Sequence, residues 1–175
     1  REPRKAMTGI LDVIDTSLRV VENVLRLHKI RVERDLPANL PDVHIDANQM
    51  KQVFVNLLLN AAEAIDNDGI IGVHGRVEPV KKQLIVEISD TGCGIAPEVM
   101  ASIFEPFFTT KSQGTGLGLS VSYGIVQSHN GSFTVSSQLG RGSRFTISLP
   151  IHQESESTTL LLPDREDSAR KSEGA

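Results

Sequence analysis

Cysteine and aromatic residues are scarce: Cys93 is the single cysteine among 175 residues, there is one tyrosine, and tryptophan is absent. A lone cysteine excludes an internal disulfide and any cysteine-cluster metal site; it suits a reducing compartment and argues against redox chemistry. With no tryptophan, one tyrosine and a formal net charge of -4, the chain offers nucleic acid few stacking platforms and no basic field. No apolar run approaches the roughly 18 residues that a membrane span needs. The chain opens on Arg1 with no charged-then-apolar leader, and is read as a fragment of a longer protein.

What remains fits a soluble globular unit, with 39% hydrophobic and 23% charged residues. From residue 152 onward there are three basic and six acidic residues, so the tail carries most of the net charge. Its Ser-, Glu- and Thr-rich composition buries too little apolar surface to order alone, despite Leu160, Leu161 and Leu162. The expected division is a linker over 1–9, a domain over 10–151 and a tail or linker over 152–175.

Apolar residues at helical spacing predict an amphipathic helix over 10–27, with Ile14, Leu18, Val21 and Leu25 on one face. On the other, Asp15/Arg19 and Glu22/Arg26 stand four apart in the favourable order. A short strand over 30–36 and another over 43–45 follow. Asp46 with Gln49 reads as a capping box opening a second helix that runs to about Ile65. Met50, Val53, Phe54, Leu57, Leu58, Ala61 and Ile65 make that helix apolar on most sides, so it should be buried. Strands around 70–77 and 84–88 are predicted to pair antiparallel. A third helix over 117–129 should stop at Asn130-Gly131, and two strands follow with Phe133, Val135, Phe145, Ile147 and Leu149 inward. This order predicts an α+β fold: a two-layer sandwich of one mixed, largely antiparallel sheet with helices on one face.

Three groups of residues do not fit a packing role. Gln49, Gln52, Asn56, Asn60 and Glu63 recur at three and four, giving the buried helix a polar stripe. A carboxamide oxygen is a hard neutral donor that suits magnesium, although capping explains the stripe equally well when it is taken alone. Asp90-Thr91-Gly92-Cys93-Gly94-Ile95 closes a strand. It reads either as a simple turn or as a ligand loop, in which a rigid carboxylate accepts from an exocyclic amino group and glycine lets the backbone approach a flat ring. Gly114-Thr115-Gly116-Leu117-Gly118-Leu119-Ser120 leads straight into a helix, the arrangement in which free N–H groups and the helix dipole favour phosphate. It matches neither a dinucleotide fingerprint nor a P-loop. Just upstream, Phe104 to Lys111 sets aromatics and a cation that could neutralise a terminal phosphate beside that loop.

Taken together and in order, NLLLNAAEAI, DTGCGI, FEPFFTTK and GTGLGLS resemble the N, first glycine, phenylalanine and second glycine boxes of sensor histidine kinase catalytic domains. The closing GRGSRFTISLP is similar to that family's last signature, and residues 3–41 resemble the nitrogen-regulation type. The resemblance implies the GHKL ATP-binding fold, with ATP and Mg2+ as ligands. It implies Asn60 as magnesium ligand, Asn56 as its phosphate-side neighbour and Asp90 as the adenine-reading carboxylate. Gly92, Gly94 and Ile95 would line the adenine pocket. Phe108, Thr109, Thr110, Lys111, Gly114, Thr115, Gly116, Leu117, Gly118 and Leu119 would form the lid and phosphate cradle. Lys111 would sit near the γ-phosphate and act with Asn56 and Asn60 in transfer. Glu63 occupies a position where many relatives carry a basic or polar group.

His28, His44, His74, His129 and His152 all lack the His-acid context of the family's phosphoacceptor. The implied acceptor is therefore a histidine on a separate dimerisation domain of the parent kinase, with a response regulator served indirectly. Neither nucleic acid nor a membrane is expected to touch this piece, which would be cytoplasmic and monomeric, the parent being dimeric and free to be membrane-anchored. Relatives that hydrolyse ATP place a glutamate base where this chain has Asn56, which favours transfer to histidine over transfer to water.

Overall fold

The computed structural model describes residues 2–106 and 118–152. Among the described residues, seven strands and four helices follow one another as β1 (Ala6–Thr8), α1 (Ile10–Leu27), β2 (Ile30–Asp35), β3 (Val43–Ile45), α2 (Ala47–Ile65), β4 (Gly69–Glu78), β5 (Gln83–Asp90), α3 (Pro97–Met100), α4 (Gly118–Ser128), β6 (Ser132–Gln138) and β7 (Gly142–Pro150). Five strands form a sheet in the order β2-β4-β5-β7-β6. The pairs β4–β5, β5–β7 and β6–β7 are antiparallel, and β2 joins β4 in parallel. The sheet is thus mixed and largely antiparallel, as the sequence leads one to expect.

Helices α1, α2 and α4 cover one face, with α2 in the middle, packed on α1, α4, β4, β5 and β7. Period-two alternation aims Leu84, Val86 and Ile88 of β5 and Phe145, Ile147 and Leu149 of β7 at that layer, and all six are buried. On α2, Met50, Val53, Phe54, Leu57 and Leu58 are at most 1% exposed. Each contributes roughly 1.5–3 kcal/mol relative to an exposed position. The opposite face of the sheet is polar, and there Arg144 Nε meets Glu87 Oε1 at 3.0 Å.

Several details depart from the sequence reading. Residues 6–8, assigned to a linker, form β1, which pairs antiparallel with β3 as Ala6↔Ile45 to Thr8↔Val43. Three residues are too few to show a period, and their partner lies more than thirty positions away. Asp15 pairs with Arg34 of β2 and not Arg19, whose Nε reaches the Asp15 main-chain oxygen at 3.5 Å. Arg26 donates to Asn23 Oδ1 instead of meeting Glu22. The strand beside α1 and a nearer amide displace the two expected helix pairs.

The capping box forms by half. Asp46 Oδ1 accepts from the N–H groups of Asn48 (3.0 Å) and Gln49 (3.1 Å). The return bond is taken over by His129 at the end of α4, whose Nε2 accepts the Asp46 N–H at 3.0 Å. Gln49 Oε1 is buried with no partner. At the end of α4, Asn130 takes the left-handed conformation (φ 56°), while Gly131 is needed for close approach, since a β-carbon there would lie 2.4 Å from the Ser148 oxygen.

Candidate functional site

Asp90 ends the central strand β5, held between Ile71 of β4 and Ser143 of β7. Its side chain is 8% exposed. Burial pushes its pKa above 3.8, opposed by N–H donation from Gly92 and Ser143. The Gly92 bond measures 2.8 Å to Oδ1. A carboxylate placed in this way is fixed in direction by the backbone and dry enough to favour a hydrogen-bonding ligand over water.

The loop after Asp90 is braced on three sides. The Thr91 hydroxyl accepts from Ile70 N–H (3.0 Å), Cys93 N–H donates to Ala64 O of α2 (3.0 Å), and Gly140 N–H donates to Cys93 O (2.7 Å). Ile95 N–H donates to Ser137 Oγ at 2.7 Å, and Ser137 in turn contacts Ser143 Oγ at 2.8 Å. The two glycines of the loop have a reason in the protein itself. A β-carbon on Gly92 would lie 2.6 Å from the Ala64 carbonyl carbon; on Gly94 (φ +73°) it would lie 2.2 Å from Gln138 O. Both glycines let the loop lie directly on α2 and on the β6–β7 turn.

Midway along the polar stripe, the half-buried Asn56 touches the start of α4. Its Nδ2 donates to Gly118 O at 2.6 Å and to Ser122 Oγ at 3.1 Å. A β-carbon on Gly118 would lie 2.8 Å from Asn56 Nδ2, so the amide would have to shift to admit it. Asn60 stands one turn further on and is half-buried, and Glu63 beyond it is exposed. Leu119 is half-buried in the first turn of α4 and packs against the core.

The structure therefore brings Asn56, Gly118 and Leu119 together at the middle of α2, and Asp90, Gly92, Gly94 and Ile95 at its C-terminal end. Phe108, Thr109, Thr110, Lys111, Gly114, Thr115, Gly116 and Leu117 lie outside the described residues. Four participants carry no signal that sequence reasoning could use: Ala64, which contributes through its carbonyl, and Ser122, Ser137 and Ser143, ordinary serines whose burial depends on tertiary packing. Among the described residues, no three histidine, cysteine or acidic side chains converge as a metal site. None of the described helices is long and apolar enough to cross a membrane.

A family model described as histidine kinase-, DNA gyrase B-, and HSP90-like ATPase matches residues 45–153. Sensor histidine kinase ZraS of Escherichia coli (strain K12) is 38% identical over 140 residues, 80% of this chain and 30% of that protein. Sporulation kinase E of Bacillus subtilis (strain 168) is 33% identical over 147 residues, 84% of this chain and 20% of that protein. The chain thus spans less than a third of these relatives' lengths. Among solved structures, the catalytic domain of histidine kinase ThkA in a nucleotide-free form superposes with a TM-score of 0.76 at 29% identity, covering 84% of this chain and 95% of that one. The fold also matches full-length ShkA in complex with AMPPNP, with a TM-score of 0.76 at 23% identity over 86% of this chain and 32% of that one.

Proposed function

The chain belongs to the histidine kinase-, DNA gyrase B-, and HSP90-like ATPase family, as the ATP-binding catalytic part of a sensor histidine kinase, and from that premise we propose how its residues divide the work. ATP lies along α2, with adenine at Asp90 and the phosphates toward the start of α4. The γ-phosphoryl passes to a histidine on a separate dimerisation domain of the parent kinase, and from there to a response regulator.

One observation carries this reading. The Asp90 loop is fastened to α2 at Ala64, and the start of α4 is fastened to it at Asn56. Eight residues of helix separate the two, about 12 Å. An extended nucleoside triphosphate bridges such a gap, base at one end and phosphates at the other. The ends are chemically suited to those parts: a directed carboxylate for an amino group, and a helix N-terminus for phosphate.

The donor set fits magnesium only of the kind that keeps phosphate oxygens and waters among its ligands. The stripe offers neutral carboxamide oxygens, with Asn60 as the ligand, and no converging acidic cluster exists among the described residues. Magnesium bound there would offset phosphate charge. The residues of the chain hold the base, orient the phosphates and exclude water, so that transfer rests on positioning and charge neutralisation. Asn56 cannot serve as a base toward water, because an amide does not take up a proton near neutral pH. Transfer to histidine is favoured for that reason.

Calorimetry of ATP binding with and without Mg2+, on the chain and on Asn60→Ala, tests the site. The substitution should abolish the magnesium-dependent part of the affinity and leave the circular dichroism spectrum unchanged. Retained Mg-ATP affinity would sink the metal assignment. Incubation with labelled ATP and a separately prepared histidine-bearing hairpin domain tests transfer: labelled histidine is expected, and ATP binding without any label would make this a nucleotide-holding docking module.

A further inference from the structure

We infer that Ser122 is a positioning residue of the magnesium-ATP site, holding the Asn56 carboxamide with its oxygen turned to the ligand; the inference rests on the reading that α2 carries that site. The orientation of the amide follows from chemistry. Gly118 O is a carbonyl and can only accept, so the Asn56 atom 2.6 Å from it must be the nitrogen. The second amide hydrogen faces Ser122 Oγ at 3.1 Å. Ser122 is 0% exposed, enclosed between α4 and α2.

With both hydrogens engaged on α4, Asn56 has only Oδ1 to offer a ligand. That atom can bind a cation or accept from a cation-bound water, and it cannot donate to a phosphate oxygen. Asn56, the phosphate-side neighbour of Asn60, therefore offers the triphosphate an acceptor on its cation side. Without the Ser122 hydroxyl, the second hydrogen loses its partner inside the interface, and the Gly118 bond alone is left to aim the amide. An amide held by one bond aims its oxygen less firmly and binds the cation more weakly. The start of α4 thereby sets the affinity of the metal position through a single side chain on α2.

Magnesium titrations at fixed ATP, followed by calorimetry, test this on the chain itself, Ser122→Ala, Ser122→Thr, Asn56→Ala and the Ser122→Ala/Asn56→Ala double variant. Ser122→Ala should raise the Mg2+ concentration for half-maximal ATP binding by about threefold to tenfold, the worth of one hydrogen bond. ATP binding in EDTA should stay unchanged, and Ser122→Thr, which keeps the hydroxyl, should restore the parent value. In the Asn56→Ala background, loss of the serine should add nothing. A parent-like magnesium requirement in Ser122→Ala, or an equal further loss in the double variant, overturns the positioning role while leaving the site reading intact. No magnesium-dependent binding by the parent chain overturns the site reading and this inference with it. If Ser122→Ala does not fold, Ser122→Cys, close in volume and a poorer partner, carries the same comparison.

Discussion

The carboxyl of Asp90 is pulled two ways, and burial prevails over its two N–H donors, leaving its pKa above 3.8. The ionised form is the one that accepts from an exocyclic amino group. ATP affinity should therefore hold through neutral pH and fall as pH drops through the raised value. The free protein responds in the opposite sense: its native state binds this proton more tightly than the unfolded chain, so this group adds stability as pH falls through the same window. Calorimetric titration over a pH series checks the first statement. Asp90→Asn should bind ATP about tenfold or more weakly, the scale of a hydrogen bond to a charged group, and should lose this pH dependence. Gly92→Ala offers a second test at this scale. Its methyl would enter the main chain of Ala64, which cannot yield as a side-chain end can, and a loss of about 1–3 kcal/mol is expected in urea denaturation. The sequence marks both positions as unusual, and it cannot say that the space beside Gly92 is filled by protein and not by a ligand.

Helix α2 is joined to α4 where the His129 ring accepts from the Asp46 main-chain N–H, and both residues carry a titratable side chain. Asp46 caps α2, and the N–H groups of Gln49 and Arg4 lead the influences that hold its pKa below 3.8. Its contribution is present above 3.8 and lost as pH falls through the lower folded value. Asp46→Ala should cost about 1 kcal/mol near neutral pH in thermal or urea denaturation, as other caps do. His129 is 2% exposed, and burial lowers its pKa below 6.5. The Ile125 oxygen lies 2.7 Å from Nδ1, so that nitrogen carries the proton and Nε2 is left to accept from Asp46 N–H. Protonation would remove that acceptor. The unfolded chain binds the proton more readily, so stability should fall as pH drops below 6.5, and His129→Asn should flatten the dependence of unfolding free energy on pH between 5 and 7. Strong periodicity made α1, α2, β4, β5 and β7 legible from sequence. The missing half of the capping box was not, because the group that replaces Gln49 lies 83 positions from Asp46.

For the domain as a whole, the first residues belong to the fold. Arg4 N–H donates to Asp46 Oδ2 (2.8 Å), Lys5 Nζ donates to Ser128 O (2.7 Å), and β1 closes on β3. Removing residues 1–8 should lower the melting temperature measured by calorimetry. An unchanged value would return those residues to the role of a linker. The two-layer plan was readable because each element exposes one apolar face. The parallel docking of β2 on β4 was not, since burial patterns within a strand do not name its neighbour.

The α2 helix also imposes a phase. Each residue turns it by about 100° and advances it 1.5 Å. A single residue inserted between Asn56 and Ala64 would swing one attachment a quarter-turn away from the other, so that no nucleotide could meet both ends. Even an insertion of a full turn, which keeps the angle, would stretch the span by about 5.4 Å. A change of length that keeps both attachments in place is thus one made outside this stretch, and the helix serves as the fixed gauge against which any change in the loops is measured.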